Sequence, residues 1–179
     1  MKQATLTIMI ITVLSKVLGF AREMTLSYVY GASSVADAYL ISQTIPTVVF
    51  SFVSAGIATG FIPMYSRILS VNGRSEADRY TSNLSNALLL LAATIAFFVL
   101  ALTQPIVKVF ASGFTGETLA LAVRLTRISV FGLFFTGIVN MFTGYLRLHG
   151  NFIVPALVGF PMNLVVILSL VVSARTSIY

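Results

Sequence analysis

The sequence predicts an all-α fold: a polytopic bundle of about five transmembrane helices. Three observations lead there. Of the 179 residues, 58% are hydrophobic and 9% charged, whereas a soluble domain carries about 45–50% apolar and about 25% charged residues. Mean hydropathy is +0.98. The apolar residues also gather into five stretches, each close to the roughly 20 residues that cross a bilayer. Backbone groups cannot go unpaired in lipid, and β-barrel alternation is absent, so the stretches are read as helices.

The first span is predicted over about 4–29 and the second over 35–66. The third runs over 81–103, the fourth over 119–147 and the fifth over 152–173, all in one transmembrane domain covering 1–179. Between the first two, Gly31-Ala32-Ser33-Ser34 reads as a tight turn, with Ser34 as helix cap and Asp37 three residues on. Residues 71–78 form the one clearly polar loop, and 103–118 read as an interfacial loop with room for a short amphipathic turn. His149-Gly150-Asn151 separates the last two spans. Nothing like a closing amphipathic tail or loop domain follows the fifth, so the chain reads as cut off or as a minimal remnant.

Composition excludes several functions. There are no cysteines and one histidine, His149, which rules out thiol nucleophiles, cysteine–zinc sites and a histidine metal site. Acids are few and scattered, and no nucleotide-binding, nucleophile-elbow or zinc-protease motif occurs, so no catalytic residue, cofactor or metal is assigned and the chain is not read as an enzyme. The net charge of +6 does not indicate nucleic acid, because no dense basic run with interleaved aromatics exists. Lys2, Arg67, Arg74, Arg79 and Arg147 fall on one side of alternating spans, and only Lys108 and Arg175 lie outside helices on the other. Basic residues concentrate on the cytoplasmic side, which puts the N-terminus in the cytoplasm.

Charge within the spans is the main functional signal. Lys16, Arg22 and Glu23 lie in the first, with Ser15, Gly19 and Arg22 on one helical face. Ionisable groups inside a membrane are expensive and tend to face a polar cavity, although Arg22 and Glu23 could also snorkel from the end of the helix. Asp37 either complements the dipole of the second helix or pairs with Arg22 across the short turn. Arg124 and Arg127 share a face and are read as snorkelling residues or as a wall of the same cationic cavity. Pro46 predicts a bend, and Gly56 and Gly60 form a spacing that lets helices approach closely. A cavity lined by cations favours an anion such as phosphate or pyrophosphate.

The run Ser15-Lys16-Val17-Leu18-Gly19-Phe20-Ala21-Arg22-Glu23, then Tyr30-Gly31-Ala32 with Asp37-Ala38-Tyr39, then Ile45-Pro46 and Gly56 through Pro63, resembles the MurJ/MviN family without gaps over residues 15–63. The resemblance implies a flippase of the multidrug/oligosaccharidyl-lipid/polysaccharide exporter superfamily. Its cargo would be lipid II, the undecaprenyl-pyrophosphate peptidoglycan precursor, and its site the bacterial cytoplasmic (inner) membrane. It further implies two pseudo-symmetric bundles with about fourteen spans around a cationic cavity, of which this chain covers the first bundle in part, so a C-terminal lobe is expected as partner. Arg22, Lys16 and Ser15 match the family's substrate-binding positions and Asp37 a polar gating position, with lysine for arginine at 16. Three positions depart: Thr44 where a basic residue is frequent, Phe50 where an arginine is expected, and Ala55 where an acid is usual. Two other readings stay open: a relative carrying another polyprenyl-pyrophosphate oligosaccharide or a drug, and a non-transporting membrane scaffold.

Overall fold

The computed structural model describes residues 2–176, in which eight helices follow one another and no strand occurs. They are α1 (Lys2–Tyr30), α2 (Ser34–Asn72), α3 (Arg74–Ala101), α4 (Thr103–Phe110), α5 (Gly116–Ser129), α6 (Gly132–Leu148), α7 (Ile153–Leu157) and α8 (Gly159–Thr176). Three stretches are long and apolar enough to cross a membrane: α2, α3 and Ile153–Arg175. The α5–α6 pair makes a fourth if its two bent halves are one span. α1 has 29 residues, a length of about 43 Å at 1.5 Å per residue. It carries Lys16, Arg22 and Glu23, the three charges of the first predicted span, and is not one of the stretches just named.

Several boundaries differ from the predicted ones for physical reasons. The 71–78 segment is helical apart from Gly73, whose φ of 84° supplies the left-handed conformation that breaks the chain between α2 and α3. Helix continues through this polar stretch because its charges pair along the axis, Arg74 with Asp78 and Arg79 with Glu76, each at 3.8 Å. The fourth predicted span is two helices bent by 43° at Val130-Phe131. The 103–118 loop contains the two-turn helix α4. The cap of α2 is Ser33 rather than Ser34: its hydroxyl accepts the Ala36 N–H at 3.3 Å. At the other side of that turn, Gly31 with φ 60° closes α1, its N–H donating to the Ser27 carbonyl at 2.9 Å.

The chain divides into two compact units, one of Met1–Ala36 with His149–Tyr179 and one of Asp37–Leu148. In the first, α1 packs on α7 and α8. The contacts advance together along both chains: Ser15 lies at Gly159, Gly19 near Asn163, and the Tyr30 and Ser173 hydroxyls are 2.6 Å apart. α1 and α8 are therefore parallel. In the second unit α2 and α6 are also parallel. Phe50 rests on Gly137, Asn140 Nδ2 donates to Ser54 Oγ at 2.8 Å, Phe61 rests on Gly144, and the Tyr65 and Tyr145 rings meet at 5.7 Å. α3 runs antiparallel between them in sequence, so the same cores hold Phe50 with Ala92, Ala96 and Val99, and Tyr65 with Ala77. A third core joins Ala38 and Ile45 of α2 to Val107 of α4 and Ala122 of α5.

Candidate functional site

The first unit holds the charges of α1. Arg22 is half-buried and its Nη2 pairs with the carboxylate of neighbouring Glu23, whose side chain is the more exposed of the two. Lys16 is exposed and forms no ion pair among the described residues. Adjacent residues point to different faces of a helix, so the Arg22–Glu23 contact requires both side chains to curl toward each other. Of Lys16, Arg22 and Glu23, that leaves the ammonium of Lys16 without an ion pair.

Ser15 and Gly19 form the small-residue side of α1 against α8. A Cβ placed on Gly159 would collide with Ser15 Oγ, and one on Gly19 would come within 3.8 Å of Asn163 Nδ2. Asn163 is buried. Ser15 is thus held in a helix–helix seam, while Lys16, the next residue, projects from a different face.

In the second unit Asp37 is exposed in the first turn of α2. Arg124 and Arg127 are both exposed on α5, whose opposite face buries Ala122 and Thr126. Pro46 is buried inside α2, which runs unbroken through it and through Pro63. Gly56 and Gly60 are exposed, and no atom lies within 4 Å of a Cβ built on either. Within the second unit, close helix approach is seen instead at Gly137 and Gly144 of α6. A Cβ on either would sit 3.1 Å from the ring of Phe50 or Phe61. The signal for this pair was the seven-residue spacing of two glycines around Met141, a two-turn repeat on one face.

The three departures from the family pattern acquire a structural address. Phe50 is 1% exposed at the centre of a core with Val130 and Leu133. An arginine there would place an unpaired guanidinium among apolar side chains, so Phe50 is a packing residue of this unit. Thr44 and Ala55 are exposed. Ala55 lies with Gln43, Thr47, Ser51 and Thr59 along one outward stripe of α2 at four-residue steps, Thr44 stands beside that stripe, and the hydroxyls of Thr44, Thr47 and Thr59 donate back to carbonyls four residues earlier. Among the described residues no group of three His, Cys, Asp or Glu side chains converges on a metal position.

The family model described as lipid II flippase MurJ matches residues 26–177. The chain belongs to the MurJ family. Its relatives include a protein of Buchnera aphidicola subsp. Baizongia pistaciae, 26% identical over 93% of this chain and 33% of its own length. Another, from Aquifex aeolicus, is 30% identical over 91% of this chain and 32% of its own length; both are named as probable lipid II flippases. A Burkholderia cenocepacia protein named lipid II flippase MurJ is 27% identical over 90% of this chain. This MurJ-family chain therefore spans about a third of the length of the curated relatives it matches. No solved structure matches it significantly. Family membership and the long apolar helices together make it a membrane protein of a transporter family.

Proposed function

We propose that the chain is the N-terminal part of a flippase that carries lipid II, an undecaprenyl-pyrophosphate-linked precursor, across the bacterial cytoplasmic membrane, without chemical conversion of the cargo. The observation that carries this reading is the family match over residues 26–177. It joins a first helix that carries Lys16 and Arg22. Lys16 and Arg22 would bind the pyrophosphate. Ser15 would hold the seam that aims Lys16. Asp37 would act in gating. The N-terminus and Gly73 face the cytoplasm in this reading, and a C-terminal lobe completes the cavity.

Removing a cation from a low-dielectric cavity weakens anion binding in a way water cannot repair. In the complete protein, Arg22→Ala is expected to abolish complementation of a strain depleted of its lipid II flippase. Lys16→Arg is expected to complement, because it keeps the charge and adds a bidentate fork; Lys16→Ala should be impaired. Growth on depletion is the readout, with immunoblots to establish equal membrane levels. Full complementation by Arg22→Ala overturns the assignment of Arg22.

A further inference from the structure

Within the second unit, α2 and α3 leave an open groove of about 300 Å³. Gly56 and Gly60 form its floor, Leu84 and Leu88 one wall, and Met64 and Tyr80 its far end. Tyr80 is fixed there by stacking on Phe61, with ring centroids 6.1 Å apart and planes 12° from parallel. The floor is open to the surroundings, since a Cβ on either glycine would meet nothing within 4 Å. A groove of this size accepts an extended hydrocarbon chain more readily than a helix, which is about 10 Å across with its side chains.

The groove has a charged mouth. Arg67 lies eleven residues beyond Gly56, close to three full helical turns, so both occupy one face of α2. The axial distance between them is about 16 Å at 1.5 Å per residue, against about 15 Å for one leaflet of a 30 Å hydrocarbon core. On α3 near this end, Arg74 lies 3.8 Å from Asp78 and Arg79 3.8 Å from Glu76. Arg67 is exposed and has no ion pair among the described residues.

We propose that this groove is a binding site for one anionic phospholipid, with an acyl chain lying on Gly56 and Gly60 and the headgroup phosphate paired with Arg67. Depth and charge are matched to a single lipid of one leaflet: the apolar floor ends where the free guanidinium begins. A guanidinium holds a phosphate through two parallel hydrogen bonds, and the negative net charge of the headgroup compensates a cation that has no ion pair among the described residues. The site rests on the chain being embedded in a membrane and is independent of any cargo.

The test reconstitutes the complete protein in bilayers with trace phosphatidylglycerol or phosphatidylcholine carrying a photoreactive acyl chain. Adducts are then mapped by peptide mass spectrometry. Phosphatidylglycerol is expected to label the segments 53–64 and 80–88 about fivefold more than phosphatidylcholine, the ratio set by one arginine at a membrane surface. Arg67→Gln should reduce that ratio to one, while Arg79→Gln, which removes a cation already paired with Glu76, should leave it unchanged. Gly60→Leu fills the floor at an exposed position and should remove labelling by both lipids, with circular dichroism confirming unaltered helix content. Equal labelling of the unsubstituted chain by both lipids overturns the proposal. So does a preference that survives Arg67→Gln, or labelling that survives Gly60→Leu.

Discussion

Phe50 shows how far one side chain's burial can revise what its position in a motif implies. Its ring fills the space above Gly137 and contacts a core that contains no polar partner for a charge. Phe50→Arg is therefore expected to destabilise the fold by about 4 kcal/mol or more, the range for an unpaired buried charge. Phe50→Leu should cost no more than about 2 kcal/mol, since it leaves a smaller apolar group; thermal unfolding in detergent compares the two. Ser15 can be separated from its neighbours in the same way. Gly159→Ala drives a methyl into the Ser15 hydroxyl and should cost about 1–3 kcal/mol. Adding Ser15→Ala removes the colliding oxygen and should restore much of that loss. If Ser15→Ala also leaves complementation intact, Ser15 acts through packing alone. None of this was legible in the motif, because a motif records which residues recur and not which face each presents.

At the scale of helices, the apolar stretches were readable because lipid imposes a length and forbids unpaired backbone. Their ends were less so. The polar stretch after Val71 carries the composition of a loop, yet charge pairs at three- and four-residue spacing keep it helical, and only Gly73 interrupts it. The bend at Val130-Phe131 was hidden for the opposite reason: its residues are as apolar as those of a continuous span. The parallel α2–α6 packing includes a polar contact between the two helices, Asn140 to Ser54. Asn140→Ala and Ser54→Ala should each destabilise, and the double variant should cost less than their sum. A coupling of about 0.6 kcal/mol is the size expected for such a bond within a membrane. Strict additivity in a thermal-unfolding cycle would mean that the two side chains do not interact in the bilayer.

For the molecule as a whole, orientation is the open quantity that charge can set. Basic residues cluster at the end that carries Arg67, Arg74, Arg79 and Arg147, and this end is expected to face the cytoplasm. The chain has no cysteine, so Ser75→Cys introduces a single thiol beside the α2–α3 break. An impermeant maleimide should leave it unlabelled in intact cells and label it after permeabilisation. Labelling in intact cells would reverse the topology and place Lys108 inside. Membership of the MurJ family was readable from residues 15–63, where closely spaced charged, glycine and proline positions coincide. The division into two units was not, because it depends on which distant segment α1 adopts as its neighbour.

That choice of neighbour sets a clock on biosynthesis. The partner surface for Ser15 and Gly19 is Gly159 and Asn163, which leave the ribosome about 140 residues later. At about 5–20 residues per second, the first helix waits roughly ten to thirty seconds in the membrane with Lys16 and Arg22 and without the helix it eventually lies beside. During that interval its retention depends on the insertion machinery or on snorkelling to the surface, so nascent chains stalled before residue 159 should be the ones that quality-control proteases extract.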